Sequence, residues 1–257
     1  MANWECVSDE LNGGYRCISR TIFNMKVLDK EWKTFILSQT KKIYLKDNFK
    51  ELKKNIIECY QNKINIYPNP KNILKVLELV PLNKIKVVII GQDPYFKSVL
   101  TGGENIPQAH GLSFSVPDNI TIPPSLKTIF NELKREYEEF EIPTSGNLTK
   151  WTNEGVFLLN ASLTVIDGKP NSHNKYWYEF TDEMIKYINK QKKNIVFMLW
   201  GNFAKAKAKL IDDKNEIIIS GHPSPLNTTN PFIGCNCFID CNKYLEKNGI
   251  TPINWKL

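Results

Sequence analysis

An apolar run near the middle of the chain constrains the fold more than any other feature. Five of the six residues from 85 to 90 are Ile or Val, and Gly91 ends the run. Such a run is typical of a strand that is buried on both faces of a parallel sheet. Gln92, Asp93 and Pro94 follow, which places a carboxylate beyond the strand's carboxyl end, where open α/β sheets bind ligands. The alternative is a plain turn, because Asp and Pro are both turn formers.

Three further apolar segments, 155–160, 194–201 and 216–221, alternate with helical patterns. This alternation predicts a single-domain α/β fold with three layers, α/β/α, around a central four-stranded parallel sheet. We expect residues 1–28 to form an irregular N-terminal segment and residues 29–257 to form the domain. The predicted helices are two surface helices within 29–62 and further helices at 73–79, 126–137, 181–190, 203–211 and 237–247. Residues 96–108 are predicted to form a long loop.

Composition narrows the class of protein. The length of 257 residues suits one large α/β domain or two small ones. The net charge of +7 favours a polyanionic partner, although only weakly. We find no apolar run that would span a bilayer and no secretory signal, so we expect a soluble intracellular protein without membrane contact. A Walker-type phosphate loop and a serine or cysteine nucleophile elbow are both absent from the sequence.

The spacing of the cysteines bears on whether the chain binds a metal ion. Three of the six, Cys235, Cys237 and Cys241, lie close together near the end of the chain. A zinc site usually needs a second Cys or His pair at suitable spacing, and none follows nearby. We therefore favour free thiols near or on the final helix, and we predict no metal site.

Polar side chains stand at the ends of three predicted strands. These are Asp93, Asn160 and His222, and parallel strands bring their carboxyl ends to one edge of the sheet. The Asp can serve as a general base or stabilise a cation, and the His can donate a hydrogen bond to a leaving group. The Asn offers a donor and an acceptor side by side, which matches one edge of a pyrimidine. Equally simple roles remain open, because the Asn can cap its loop and the His can be a satisfied loop residue.

Aromatic and rigid segments complete this set. Tyr95 and Phe114 are flat surfaces for a planar ring, although a lone Phe is more often part of a core. Segments 123–125 and 222–225 are Pro-rich, and their hydroxyls suit phosphate oxygens. Taken together, these groups fit cleavage of a bond between a base and a sugar in DNA.

Several ordered segments resemble the signatures of family 1 uracil-DNA glycosylases. The strongest matches are 91–95 (GQDPY), 108–116 (QAHGLSFSV), 158–161 (LLNA) and 222–226 (HPSPL). Segments 123–126, 171–173 and 199–201 match further parts of the family in the same order. The resemblance covers roughly residues 70 to 256, and several ordered motifs together are far more specific than any one of them.

The resemblance implies an enzyme that removes uracil from single- or double-stranded DNA by hydrolysing the N-glycosidic bond, without a metal or cofactor. The enzyme would act as a monomer and would flip uracil out of the base stack. Asp93 would position water and stabilise the sugar cation, and a neutral His222 would stabilise the departing uracil anion at O2.

Base recognition and DNA binding also follow from the resemblance. Phe114 would stack on uracil, Asn160 would bind its edge and reject cytosine, and Tyr95 would exclude the thymine methyl group. The main chain at Gln92 would help to hold the base. The residues implied in DNA binding are Pro123, Pro124 and Ser125, Ser224, and Leu226 as a wedge in the duplex.

The sequence departs from the family pattern at three places. Phe96 replaces the usual His, about eight extra residues lie within Lys97 to Pro107, and Asn202 replaces a usual Ser. Two other hypotheses remain open. One is a non-catalytic DNA-binding scaffold, such as a polymerase processivity subunit. The other is a flavodoxin-like nucleotide-binding protein, which would need a better phosphate loop than residues 92–94 provide.

Overall fold

The computed structural model describes residues 27–43, 47–229 and 231–257. The predicted irregular segment 1–28 therefore lies, except for its last two residues, outside the described residues. The strands are β1 Ile66–Tyr67, β2 Val87–Gly91, β3 Ser98–Thr101, β4 Glu104–Pro107, β5 Val156–Asn160, β6 Val165–Ile166, β7 Val196–Trp200 and β8 Glu216–Ser220. The α-helices are α1 Lys30–Ile43, α2 Asp47–Gln61, α3 Lys75–Leu79, α4 Pro124–Glu136, α5 Thr149–Asn153, α6 Asn174–Gln191, α7 Gly201–Lys205 and α8 Cys237–Lys247. Short 3₁₀ helices occur at Pro70–Asn72, Leu82–Lys84 and Ala206–Leu210.

The central sheet confirms the predicted fold class. Its order is β5-β2-β7-β8, and each neighbouring pair of strands is parallel. Every residue of β2, β5 and β7 is buried, which explains why these segments show continuous apolar runs rather than alternation. β8 lies at the edge and is only partly covered. Helices flank this sheet, as expected for an α/β domain.

The first helix differs from its prediction as a surface helix. α1 buries Trp32, Phe35 and Ile36, whose spacing places them on one helical face. The Trp32 ring stacks on Phe157 of β5 with centroids 5.4 Å apart, and its indole N–H donates to the Val80 carbonyl at 2.9 Å. The helix is therefore part of the layer that covers the sheet, because its apolar face needs that contact to leave water.

The predicted long loop 96–108 is wrong in its central part. β3 and β4 form an antiparallel hairpin there, with Ser98 opposite Pro107 and Thr101 opposite Glu104. Gly102 and Gly103 make the turn with φ of 59° and 84°, a conformation that glycine adopts without a steric penalty. A Gly-Gly pair between two short segments is a hairpin signal, and it explains how the extra residues are accommodated.

Helix boundaries also differ from the predictions. α4 begins at Pro124 rather than residue 126, since proline is well suited to the first helical turn. The predicted helix 181–190 is the second part of the longer α6. The predicted helix 203–211 is the short α7 followed by a 3₁₀ helix, whereas the final helix has the predicted limits 237–247.

The order of the strands defines where a ligand binds. From β2 the chain passes to β5 on one side, and then it crosses to β7 on the other side of β2. In open parallel sheets, such a reversal leaves a crevice at the carboxyl ends of the two strands that flank it. The loops after β2 and β7 therefore border this crevice.

Candidate active site

The loop after β2 holds Asp93 in a fixed orientation. One carboxylate oxygen, Oδ2, accepts a hydrogen bond from the main-chain N–H of Asn171 at 2.8 Å. The Asn171 side-chain oxygen in turn accepts a hydrogen bond from Nε2 of Gln92 at 2.6 Å. Burial raises the pKa of Asp93 above its usual range, and the Asn171 N–H partly offsets this effect. The result is a partly desolvated carboxylate, which interacts with a nearby cation more strongly than one in water.

Asn171 lies in a segment that the sequence analysis recognised, but its contact with Asp93 was not predicted. It adopts the left-handed conformation with φ of 64°, which Asn tolerates better than most residues. The adjoining turn is anchored by His173, whose Nε2 lies 2.8 Å from the Asn55 side-chain oxygen and whose Nδ1 lies 2.8 Å from the Thr164 hydroxyl. The segment 171–173 was recognised in sequence, but its contact with Asp93 is made across 78 positions of the chain.

Asn160 lies at the end of β5, directly opposite Gly91 of β2. Its side chain is only 8% exposed, yet no described residue forms a hydrogen bond with its amide. The amide is therefore free to form hydrogen bonds with a ligand or with water. Gly91 makes this position possible, because a Cβ there would lie 2.5 Å from the Asn160 side-chain oxygen. The glycine at the end of the strand therefore has a packing role that the sequence did not indicate.

The aromatic residues expected in the pocket lie together. The Phe114 ring is half-buried, and its centroid lies 5.3 Å from Trp200 and 6.2 Å from His222. The Tyr95 hydroxyl donates to the Phe114 carbonyl at 3.3 Å, and burial strongly raises the Tyr95 pKa. Phe114 has φ of 61°, an uncommon conformation for an aromatic residue that is often found at functional sites. Trp200 supports Phe114 from the end of β7.

His222 follows β8, and its local contacts select one neutral form of the ring. The main-chain N–H of Ser224 donates to His222 Nδ1 at 3.0 Å, so Nδ1 carries a lone pair. Burial lowers the His222 pKa below its usual value, which favours the neutral imidazole. The ring proton then lies on Nε2, where it can be donated. Gly201 gives the ring room, since a Cβ there would lie 2.8 Å from the His222 Cβ.

The residues expected to bind DNA lie on two loops. Leu226 is 90% exposed, and its N–H donates to the Ser224 hydroxyl at 3.3 Å. Burying this exposed apolar side chain against a binding partner would be favourable, because it removes apolar surface from water. Pro123, Pro124 and Ser125 form the start of α4, where Pro123 precedes the first helical residue.

Phe96, which departs from the family pattern, has a packing role. It contacts a small apolar cluster of Tyr67, Ala109 and Val165, and Tyr95 packs on the same cluster. Its carbonyl accepts a hydrogen bond from the Gly168 N–H at 2.8 Å. These contacts hold the loop that carries Tyr95.

Comparison with known proteins agrees with this architecture. The model of the uracil DNA glycosylase superfamily matches residues 77–246. A uracil-DNA glycosylase of Dichelobacter nodosus is 44% identical over 232 residues, which is 90% of this chain and 96% of the relative. A uracil-DNA glycosylase of Buchnera aphidicola is 46% identical over 228 residues, 88% of this chain and 98% of the relative. The crystal structure of mimivirus uracil-DNA glycosylase superposes with a TM-score of 0.79 at 29% identity, covering 90% of this chain and 88% of that chain.

The α/β fold, the group of residues at its strand ends and these comparisons define a glycosylase. More specifically, the chain belongs to the uracil DNA glycosylase superfamily. Among the residues that the structure describes, no helix is both long enough and apolar enough to cross a membrane.

Proposed function

We propose that this chain is a family 1 uracil-DNA glycosylase, which removes uracil from single- and double-stranded DNA and leaves an abasic site. The observation that carries the proposal is the convergence of four groups at one crevice. These are an oriented carboxylate at Asp93, a largely buried amide at Asn160, the Phe114 ring, and a neutral imidazole at His222. We expect the enzyme to act as a monomer inside the cell, and the domain to begin near residue 29.

Recognition begins with uracil turned out of the base stack into the crevice. The Phe114 ring stacks on the uracil ring, and the Asn160 amide pairs with its O4 and N3–H edge. Cytosine presents the opposite pattern at these two atoms, so the oriented amide would face donor against donor. Tyr95 occupies the space that a thymine methyl group would need, and the main chain at Gln92 helps to hold the base.

The chemistry then breaks the bond between C1′ of the sugar and N1 of uracil. The bonding electrons leave with uracil, and the anion is stabilised at O2 by the hydrogen bond from His222 Nε2–H. The sugar gains oxocarbenium character, which the Asp93 carboxylate stabilises electrostatically. Asp93 also positions a water molecule, which adds to C1′ and transfers a proton to the Asp93 carboxylate, from which the proton passes to solvent. No metal or cofactor is required in this scheme.

DNA binding uses the loops around the crevice. Ser125 and Ser224 present hydroxyls to the phosphates, Pro123 and Pro124 stiffen the first of these loops, and Leu226 fills the gap left by the flipped base. The net charge of +7 supplies a favourable long-range attraction to DNA.

The proposal is tested by release of uracil from single-stranded DNA under single-turnover conditions. We expect Asp93→Asn to lower the rate at least about 100-fold, in line with the loss of one preorganised electrostatic group, while binding to uracil-containing DNA persists. Asp213→Asn, which changes an exposed carboxylate before β8, is the matched control and should retain the wild-type rate. If the wild-type protein binds DNA but releases no uracil, the proposal is rejected and the non-catalytic scaffold is favoured.

A further inference from the structure

Two thiols and a carboxyl group converge between the end of α4 and the start of α8. The sulfur atoms of Cys235 and Cys237 and a carboxylate oxygen of Glu136 all lie within 4.8 Å of one another. Glu136 is the last residue of α4, and Cys237 is the first residue of α8. Asn236, between the two cysteines, has φ of 55°, so the chain bends sharply at this point. The group is thus assembled from segments that are about one hundred positions apart in sequence.

The Glu136 carboxylate is incompletely satisfied. Its Oε2 accepts a hydrogen bond from the Ile239 N–H at 2.6 Å, whereas Oε1 is buried without a hydrogen-bond partner among the described residues. The adjacent cation, Arg135, does not fill this need, because its guanidinium binds Glu132 through two hydrogen bonds of 3.0 and 2.8 Å. Burial raises the pKa of Glu136, and a hydrogen bond with the neighbouring Glu132 carboxyl group raises it further, so a cation bound here must displace the proton that the two groups share. The geometry thus places one carboxyl oxygen that lacks a donor beside two thiol sulfur atoms, and these three groups can become cation ligands when they lose their protons.

We propose that Glu136, Cys235 and Cys237 bind a Zn²⁺ ion that holds the end of α4 to the cysteine segment. Two thiolates and one carboxylate are established zinc ligands, and thiolate ligands select zinc over Mg²⁺ or Ca²⁺. In a tetrahedral site with Zn–S bonds of about 2.3 Å, neighbouring ligand atoms lie about 3.7 Å apart. The three ligand atoms all lie within 4.8 Å of one another, so they are close enough to be drawn onto one ion. Cys235 is partly exposed, so a water molecule can complete the coordination.

The ion would tie together two segments that border the proposed DNA-binding surface. α4 begins with Pro124 and Ser125, and the cysteine segment follows the His222–Leu226 loop. Between that loop and the cysteines, Phe232 packs edge-on against Trp200 at 5.0 Å. Glu132 already links α4 to this segment by accepting hydrogen bonds from the N–H groups of Gly234 and Asn236, at 2.8 and 3.1 Å. The zinc ion would strengthen this link, and it has no part in the hydrolysis.

A metal-binding titration tests the site directly. The full chain, reduced and stripped of metal by a chelator, is titrated with Co²⁺ and then with Zn²⁺. We expect one equivalent of Co²⁺ to produce a thiolate-to-cobalt charge-transfer band, and one equivalent of Zn²⁺ to abolish it. Cys237→Ser and Glu136→Gln should weaken Zn²⁺ binding by at least about 100-fold, more than the loss of a residue that only supports a ligand. Cys59→Ser, which changes a buried thiol on α2, should bind as the wild type does.

A second measurement needs no variant, so a failure of the substituted proteins to fold would leave the test intact. Cys235 in the native wild-type protein is alkylated with and without one equivalent of Zn²⁺, and the modified peptide is quantified by mass spectrometry. Slowing of Cys235 alkylation by at least tenfold, together with a raised unfolding midpoint, supports the site. An alkylation rate that Zn²⁺ leaves unchanged overturns it. Uracil release by the folded metal-free protein should match that of the zinc-loaded protein, which separates this proposal from the catalytic one.

Discussion

Gly91→Ala should reduce uracil excision without directly changing any group proposed to contact the substrate. The added Cβ would lie 2.5 Å from the Asn160 side-chain oxygen and 2.9 Å from the Ser113 Cβ, whereas ordinary contacts begin at 3.4 Å. Ser113 is fully buried and belongs to the segment before Phe114, so it has little room to retreat. The Asn160 amide is therefore the group that must move most, by about 0.9 Å to reach 3.4 Å, and the approach to Ser113 requires a smaller shift of the β2 backbone.

The size of the effect follows from this displacement. A misplacement of about 1 Å at a reacting or binding group commonly costs about 100-fold in rate, equivalent to about 2.7 kcal/mol of transition-state stabilisation. We expect the effect mainly in kcat/KM, because Asn160 recognises the uracil edge throughout the reaction. Overpacking at the β2–β5 contact should also lower the free energy of unfolding by about 1–3 kcal/mol.

The assay is single-turnover uracil release combined with a double-mutant cycle. Gly91→Ala, Asn160→Ala and the double variant are compared at a temperature where urea denaturation shows all of them to be folded. If Gly91→Ala acts through Asn160, it should lower the rate of uracil release much less in the Asn160→Ala background than in the wild type. A wild-type rate for Gly91→Ala, or an equal loss in both backgrounds, would refute the reasoning.

Three further predictions concern specificity, packing and acid stability. Tyr95→Ala should permit slow thymine excision, because it opens space for the methyl group. The assay is release of thymine from DNA that contains T, and a folded variant that releases no thymine would contradict the prediction. Phe96→His should change the single-turnover rate of uracil release by less than about tenfold, which is the value of one charge-assisted hydrogen bond. The loss of Phe96 contacts with the Tyr67 cluster should lower the free energy of unfolding, measured by urea denaturation, by about 1 kcal/mol. Burial lowers the pKa of His173 to about 4. The unfolded chain binds a proton at this imidazole near pH 6.5, whereas the folded protein does so only near pH 4. Lowering the pH from 7 to 5 should therefore reduce the free energy of unfolding by about 2 kcal/mol through His173, and His173→Gln should remove this contribution.

The sequence by itself determined the architecture of the central sheet. The runs at 85–91, 155–160 and 194–201 are apolar at nearly every position, and only strands covered on both faces require this. Their parallel arrangement then placed Asp93, Asn160 and His222 at one edge. These features were predictable because strand burial and strand-end position are read from consecutive residues. The roles of the three side chains in catalysis stay predictions.

Only the tertiary structure decided the contacts that join distant parts of the chain. Asn171 supports Asp93 through a main-chain N–H, and every residue type except proline carries such a group, so no residue pattern marks this contact. Gly91 is needed because of the Asn160 amide on the neighbouring strand. Likewise, the sequence showed three clustered cysteines without a second Cys or His pair, whereas the structure brings the Glu136 carboxyl group beside Cys235 and Cys237. In each case the partner is chosen by packing between elements, and a linear pattern reports only the periodicity within one element.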